Sequence, residues 1–155
     1  MGADHVIERA DFGDAALAAF LQAHLGDIAP TAPATSRHAL NMAELMHPSV
    51  RLRVVRHRGD VVATGALVML ESGHEELKSM RTAPELRGRG IARLLLEHLL
   101  HDARMRGVSR VSLETGSMDF FEPARRLYSS SGFVLCGPFG RYELDPNSIF
   151  MALAW

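Results

Sequence analysis

The segment from Arg87 to Ala92 places two glycines and two arginines directly before a long amphipathic stretch. Apolar residues then recur at helical spacing as far as Ala103, and Gly107 supplies a stop, which predicts a helix of about four turns. Upstream, the run from Glu75 to Thr82 is bounded by glycine and proline and predicts a strand. The predicted order is therefore strand, glycine–arginine turn and long helix.

The start of this helix has the chemistry of an anion site. The first N–H groups of a helix lack partners and carry about half a positive charge, so a diphosphate can bind there. Gly88 and Gly90 let the backbone approach closely, and Arg87 and Arg89 supply donors suited to phosphate oxygens. Such turns also occur in loops that bind nothing, so these residues alone leave both interpretations open. The spacing fits neither G-x-G-x-x-G nor a P-loop, which argues against nucleoside triphosphate chemistry.

Composition indicates one globular domain over residues 1–155. Hydrophobic residues make up 47% of the chain and charged residues 23%. A chain of this length and composition can form a buried hydrophobic core. A net charge of −1 predicts no general attraction to nucleic acid or to an anionic membrane. With no long apolar run and no signal-peptide pattern, a cytoplasmic protein is expected. Cys136 is the single cysteine, so no internal disulfide is expected and a buried free thiol is favoured over a nucleophile.

The remaining elements follow from apolar periodicity and turn residues. Helices are predicted over 11–25, where Gly26 ends the first, from Ser36 through Met46, and over 123–131. Strands are predicted over 6–9, 51–57, 61–70, 108–115, 133–136 and 148–153. The tripeptide Arg58-Gly59-Asp60 predicts a hairpin between two of these strands.

The strand before the glycine–arginine turn carries polar groups on both faces. Glu76 and Lys78 share one face, whereas Ser79 and Arg81 share the other. A strand buried on both faces would be apolar throughout. One face is therefore either solvated or lines a cleft, and the adjacent turn favours the cleft.

Two further motifs, in the right order, carry a family resemblance. Thr82–Leu86 is similar to a "V-x-P-E-x" approach, and residues 87–92 are similar to an R/Q-x-x-G-x-G/A signature. Ala124–Tyr128, followed by Ser131-Gly132-Phe133, resembles the element "A-x-x-L-Y-x-x-x-G-F". Together these motifs resemble the GNAT superfamily of acetyl-CoA-dependent N-acetyltransferases. Runs at 77–82, 112–116 and 137–148 resemble its bacterial YsnE-like subgroup, and the resemblance spans about residues 36–155.

The resemblance implies an α/β (α+β) GNAT fold, with a mixed, mostly antiparallel sheet of about six or seven strands and about four helices. It also implies direct attack of a primary amine on acetyl-CoA in a ternary complex, without a metal. The residues that it assigns to acetyl-CoA are Met80, Arg81, Thr82, Arg87, Gly88, Arg89, Gly90, Ile91, Ala92, Thr115, Ala124, Leu127 and Tyr128. Backbone groups near Met80 and Thr82 would pair with the pantetheine arm, and an N–H near Met80 would stabilise the oxyanion.

Three residues are candidates for proton transfer. Tyr128 matches the family's general acid, and a phenol with a pKa near 10 can protonate a thiolate whose thiol has a pKa of about 8.5. The alternative for Tyr128 is a packed tyrosine. Glu76 and Glu114 are candidate general bases, needed for a lysine-like amine more than for an α-amine, and each has the alternative of a surface carboxylate.

Arg81 differs from the small or apolar residue that is usual in the family. It could clamp a substrate carboxylate or form a salt bridge to Glu76 or Glu114. His38 and Asn147 are candidates for the same substrate site on the subgroup resemblance alone. His98 and His101 have a spacing that can bind metal, but without a third ligand a solvated helix face is favoured.

The expected function is acetylation of a small primary amine, with an amine that carries a carboxylate as the favoured acceptor. Acetylation of a protein N-terminus or lysine, and a non-catalytic acyl-CoA sensor that binds a partner through residues 137–148, are the alternatives. Nucleic acid and membrane are not expected partners. Homodimers are common in the family, so a homodimer is a further expectation.

Overall fold

A mixed seven-stranded sheet organises the chain. The structure, a computed structural model, describes residues 4–31, 33 and 38–155. The strands are β1 (His5–Arg9), β2 (Val50–His57), β3 (Asp60–Glu71), β4 (His74–Thr82), β5 (Arg110–Gly116), β6 (Val134–Cys136) and β7 (Ser148–Ala154). The helices are α1 (Ala15–Ile28), α2 (Met42–Leu45), α3 (Ile91–Met105) and α4 (Glu122–Ser130), with short 3₁₀ turns at Ala29–Thr31, Pro84–Leu86 and Asp119–Phe121. The predicted α/β class is confirmed.

The strands follow the order β1-β2-β3-β4-β5-β7-β6 across the sheet. Every neighbouring pair is antiparallel except β4 and β5, which are parallel. A parallel pair needs a crossover connection, and α3 provides it. The turn that starts α3 therefore lies beside the end of β4, at the one parallel junction of the sheet.

The two faces of the sheet are covered by different helices. On one face α3 buries a leucine-rich stripe against β3, β4 and β5, as its periodicity predicts; its buried residues are Ile91, Leu95, Leu96, Leu99 and Ala103. On the other face α1 and α2 pack against β2 and β3 through a second apolar cluster. The buried members of that cluster are Leu17, Leu21, Leu45, Leu52, Val54 and Ala66.

The β2–β3 hairpin turns where the sequence predicts. Arg58 and Gly59 both have positive φ, 52° and 89°, and His57 pairs with Asp60. Two consecutive residues of positive φ match the twist of a tight hairpin, and glycine adopts this conformation without strain.

Two predicted helices have different limits in the structure. The first begins at Ala15 because the Asp14 side chain accepts a hydrogen bond from the N–H of Ala16, and it continues through Gly26 to Ile28. The second comprises only Met42–Leu45, where Asn41 forms a capping box with Glu44. Ser36, the predicted cap of that helix, lies outside the described residues.

Cys136 is only partly buried, on the edge strand β6, so the prediction of a buried thiol was wrong. Strand β6 has three residues and pairs only with β7 among the described strands, which leaves its outer edge without a strand partner.

Among the described residues, every helix is too short or too polar to cross a bilayer.

An ion-pair network fixes the C-terminal end of α3 to the start of β4. Arg106 donates two hydrogen bonds to the buried Glu75 carboxylate, at 2.7 and 2.8 Å, and one to Asp102 at 2.9 Å. The Asp102–Arg106 pair has the i,i+4 spacing that favours an ion pair on one face of a helix. The bidentate geometry holds helix and strand in one relative position.

Candidate active site

Strands β4 and β5 separate halfway along their length. Their parallel ladder ends at the pair Leu77 and Leu113, although β4 continues to Thr82 and β5 to Gly116. The backbone of β4 beyond Leu77 is thus bonded to β3 on one side and lacks β5 as a partner on the other. This gap is the space that an extended ligand could fill by adding to the sheet.

A β-bulge lies in this open part of β4. Ala66 pairs with Lys78 and Thr64 pairs with Arg81, so Gly65 alone faces both Ser79 and Met80. Ser79 has a φ of 57°, and its carbonyl accepts a 3.1 Å hydrogen bond from the fully buried Thr64 hydroxyl. The bulge re-aims the backbone at the gap, as bulges beside functional sites commonly do.

The glycine–arginine turn forms one end of a cleft of about 450 Å³. Gly88 and Gly90 have φ values of 77° and 80°, which glycine adopts without strain, and Gly90 directly precedes the first turn of α3. Of the residues predicted to bind acetyl-CoA, this cleft is lined by Met80, Arg81, Thr82, Arg87, Gly88, Gly90, Ile91, Ala92, Ala124, Leu127 and Tyr128. Arg89 and Thr115 are not among its lining residues, and Thr115 lines the neighbouring cavity instead. The unpaired N–H groups of α3 and the Arg87 side chain suit a diphosphate.

Sequence reasoning missed part of this cleft. His24 and Ile28 reach it from α1, Phe120 and Phe121 reach it from the 3₁₀ turn before α4, and Pro123 reaches it from the first turn of α4. The Arg87 guanidinium lies 5.9 Å from the centre of the Phe120 ring. No local motif marks these positions, because only the folded sheet brings α1 and the start of α4 to opposite sides of the cleft.

A second, smaller cavity of about 140 Å³ adjoins the cleft. Its polar lining residues include His38, Lys78, Glu114, Thr115 and Asn147. The two cavities share six lining residues, which mark their junction. These are His24, Ile28, Met80, Phe121, Ala124 and Tyr128.

Tyr128 lies on α4 at this junction and packs against Phe133, with ring centres 5.8 Å apart. Only 6% of the residue is exposed, and burial raises the pKa of the phenol well above its usual range. The group is therefore a protonated O–H donor throughout the neutral pH range. A general acid must hold its proton before it transfers it, and the same raised pKa makes this phenol a weaker acid than a free tyrosine.

The two candidate bases lie in different environments. Glu114 lines the smaller cavity, and burial raises the pKa of its carboxyl above the usual range. Glu76 is buried and does not line either cavity. Glu114 is thus the better placed of the two for contact with an acceptor.

Glu76 belongs to a buried network that includes a residue absent from the sequence predictions. The Tyr142 hydroxyl donates to the Glu76 carboxylate. The Lys78 ammonium donates to Tyr142 at 2.8 Å and to Glu76 at 3.3 Å. The available sequence signal was the Glu76/Lys78 alternation, because two charged groups on a covered strand face need a buried partner.

Arg81 has a partner that the sequence did not suggest. Its side chain, 6% exposed, forms a salt bridge to Asp27 on α1, and its guanidinium lies 5.3 Å from the centre of the Phe20 ring. Glu76 and Glu114, the partners considered in the salt-bridge alternative for Arg81, were therefore wrong. Asp27 is 54 residues away in the chain, so only the position of α1 over β4 creates this pair. Arg81 lines the larger cleft but not the smaller cavity, so a role for it as carboxylate clamp remains only a prediction.

The remaining predicted residues lie in and around these cavities. His38 contacts the Tyr142 ring edge-on, with ring centres 4.9 Å apart. The Asn147 carbonyl accepts a hydrogen bond of 3.1 Å from the N–H of Ser117, which ties the segment before β7 to the end of β5. His98 and His101 are exposed on α3. Within the described ranges no three His, Cys, Asp or Glu side chains approach one another closely enough to hold a metal ion.

Comparisons with known proteins agree with this geometry. The sequence model of the acetyltransferase (GNAT) family matches residues 17–133. The N-acetyltransferase YsnE of Bacillus subtilis is 43% identical over 128 residues, 83% of this chain and 85% of the relative, and its function is uncharacterised. An IAA acetyltransferase of Azospirillum brasilense is 42% identical over 132 residues, 84% of this chain and 83% of the relative.

A solved structure supports the same assignment at the level of the fold. A Klebsiella pneumoniae protein, assigned as an acyl-CoA N-acyltransferase, superposes with a TM-score of 0.78 at 29% identity and covers 99% of both chains. The splayed β4–β5 pair, the glycine–arginine turn and the buried tyrosine thus occur in a chain that matches the family over most of its length. The chain belongs to the acetyltransferase (GNAT) family, as a YsnE-like N-acetyltransferase.

Proposed function

We propose that this enzyme transfers an acetyl group from acetyl-CoA to the primary amine of a small molecule that also bears a carboxylate. The observation that carries the proposal is the pair of adjoining cavities. One is lined by the glycine–arginine turn, the lining of the other includes several polar side chains, and they meet at Tyr128 and Met80. A donor and an acceptor bound in the two cavities would have their reacting groups at this junction.

The larger cleft fits the donor. The N-terminus of α3 and Arg87 would bind the diphosphate. The open side of β4 between Lys78 and Thr82 would pair with the amide groups of the pantetheine arm, as an added strand does. Acetyl-CoA supplies the acetyl group as a thioester whose reactive carbon would then lie near Met80.

At the junction, one acetyl group would pass from the sulfur of acetyl-CoA to the nitrogen of the acceptor. The amine nitrogen forms a bond to the acetyl carbon and the bond from that carbon to sulfur breaks. The nitrogen loses a proton, for which Glu114 is the acceptor lining the smaller cavity, directly or through water. The departing sulfur gains a proton, for which the Tyr128 hydroxyl is the buried donor.

The acceptor cavity favours a small molecule. Its volume of about 140 Å³ suits a compound of a few heavy atoms better than a folded protein surface. Its lining carries a carboxylate and an ammonium, from Glu114 and Lys78. Opposite charges in one small cavity match a zwitterionic acceptor such as an amino acid.

Mass-spectrometric detection of acetyl transfer tests the proposal. The panel contains amino acids, polyamines, aminoglycosides, lysine peptides and IAA, the compound named for the Azospirillum brasilense relative. We expect acetylated amino acids or other carboxylate-bearing amines. Acetylation of peptides alone would support a protein substrate instead, and acetyl-CoA binding without transfer to any acceptor would support an acyl-CoA sensor.

A further inference from the structure

The acceptor cavity contains a fixed ammonium group. Lys78 lines this cavity and its side chain is 12% exposed, so the group is largely shielded from bulk water. A shielded positive charge interacts with an anion more strongly than an exposed one. The candidate inferred from sequence, Arg81, is bound to Asp27 and lies outside this cavity.

Two neighbours hold the Lys78 ammonium in place. Its N–H groups donate to the Tyr142 hydroxyl at 2.8 Å and to the Glu76 carboxylate at 3.3 Å. Tyr142 itself donates to the same Glu76 carboxylate, which closes a three-membered network. An ammonium has three donors, and this network uses two of them, so one remains for an acceptor group in the cavity.

Tyr142 belongs to a wall built by three separate parts of the chain. Its ring contacts His38, with centres 4.9 Å apart, from the segment before α2, and Phe150, at 5.5 Å, from β7. Its hydroxyl reaches β4 through the Glu76/Lys78 pair. Tyr142 thus couples the segment between β6 and β7 to the position of the ammonium.

Both charged residues of the cavity directly follow the last paired residues of β4 and β5. Lys78 lies on β4 and Glu114 on β5, just beyond the point where these strands separate. Glu114 lines the cavity that Tyr128 also lines, at the junction with the donor cleft. An acceptor amine near Glu114 and Tyr128 would therefore place a carboxylate of the same small molecule within reach of Lys78.

We infer that Lys78 is the residue that binds the acceptor's carboxylate, with Tyr142 and Glu76 as positioning residues. The inference rests on the proposed function, because it specifies how that site selects its substrate. It assigns substrate specificity to the network of Lys78, Glu76 and Tyr142, which joins β4 to the segment before β7. Arg81 has a different role, because its salt bridge to Asp27 holds α1 against the sheet.

The test compares two acceptors that differ only at one end. An amino acid acetylated by the wild type is assayed beside its carboxamide, which keeps the amine and loses the negative charge. For Lys78→Met we expect kcat/KM to fall at least about tenfold for the amino acid, the loss typical of one charge-assisted hydrogen bond, and less than about threefold for the carboxamide. Tyr142→Phe keeps the ring and removes the hydroxyl, so we expect a smaller loss with the same selectivity.

Matched variants separate this role from folding and from net charge. Arg141→Met removes an exposed cation one residue from Tyr142 and should leave both acceptors unchanged. Glu76→Gln/Lys78→Met avoids an unpaired buried carboxylate and should show the same selective loss as Lys78→Met. Acetyl-CoA binding, measured by calorimetry, should match the wild type in each variant.

Several outcomes would overturn the inference. Equal losses for the two acceptors in Lys78→Met, or a selective loss in Arg81→Met, would remove the role from Lys78. A wild type that acetylates the amino acid and its carboxamide equally well would show that no carboxylate is recognised, while leaving transfer to small amines intact. A wild type that acetylates no small amine would refute the proposed function itself.

Discussion

At the scale of single residues, Tyr128 combines deep burial with a position where the two cavities meet. The helix α4 places the ring against Phe133 and at the junction of the two cavities. Because burial disfavours the phenolate, the proton stays on the hydroxyl at every pH at which the fold would operate. The same burial that stabilises the fold thus keeps the hydroxyl protonated and makes it a weaker acid.

Replacing Tyr128 by phenylalanine tests this role while keeping the ring. We expect kcat to fall about tenfold to a hundredfold, because the departing thiolate would have to take its proton from water. Acetyl-CoA binding and thermal stability should change little. Steady-state kinetics with a thiol-detecting assay gives the value, and a kcat equal to that of the wild type would show that Tyr128 only packs.

The sequence separation between partner residues determined which parts of the candidate site could be predicted. The glycine–arginine turn and Tyr128 were found because each lies in a short local motif. Tyr142 was missed because its partner Glu76 is 66 residues away, and Asp27 was missed for the same reason. Local patterns identify residues whose surroundings are set by their neighbours in the chain, whereas the smaller cavity is formed by contacts between distant segments.

At the scale of elements, the bulge in β4 depends on a small residue in β3. A Cβ atom on Gly65 would lie 2.5 Å from the Met80 sulfur and about 3 Å from side-chain atoms of Leu95 and Leu99 on α3. Only glycine at this position lets Met80 lie between the sheet and the helix. Sequence patterns predicted both strands, but neither the bulge nor this close approach could be read from their alternation, because a bulge depends on the register between two strands.

The substitution Gly65→Ala should therefore displace Met80, which lines both cavities, although Gly65 itself lines neither. We expect a loss of about 1–3 kcal/mol in the free energy of unfolding, as in other overpacked cores, together with reduced acetyl transfer because Met80 must move. Gly26→Ala, in α1 with no atom within 4 Å of the added Cβ, is the control and should be neutral or stabilising by up to about 1 kcal/mol. Urea unfolding measures both, and similar values for the two variants would contradict the packing argument.

The ion pair between Arg106 and Glu75 joins α3 to β4. Removing one partner leaves the other charge buried, so Arg106→Met should lower the free energy of unfolding by about 3–5 kcal/mol. Arg126→Met removes an exposed pair with Glu122, whose side chains are 77% and 47% exposed, and should cost less than about 0.5 kcal/mol. Chemical denaturation of both variants tests the difference. A small loss for Arg106→Met would mean that water reaches Glu75.

At the scale of the whole molecule, stability should depend on acid pH through His24. Burial and the nearby Arg81 charge lower the pKa of this histidine from 6.5 to about 4. The unfolded chain therefore binds the proton first as the pH falls, and the free energy of unfolding decreases between about pH 6.5 and pH 4. The full effect is on the order of 3 kcal/mol.

Urea unfolding at pH 7.5, 5 and 4 measures this dependence. His24→Gln does not titrate in the window, so we expect its stability to fall less steeply than that of the wild type. His98→Gln, exposed on α3, should retain the wild-type slope. Parallel curves for the wild type and His24→Gln would place the acid sensitivity elsewhere in the molecule.

Trp155 lies at the end of the sheet that is opposite to the cavities and can report on folding. Trp155, the one tryptophan of the sequence, donates its backbone N–H to the Ser109 carbonyl at 3.1 Å, and its ring lies 5.4 Å from the Arg104 guanidinium. These contacts adjoin the start of β5, whereas the cavities adjoin its end. The indole emission should therefore change when the sheet unfolds and stay constant when a ligand binds. The chain thus carries an intrinsic fluorophore that reports global folding independently of occupancy.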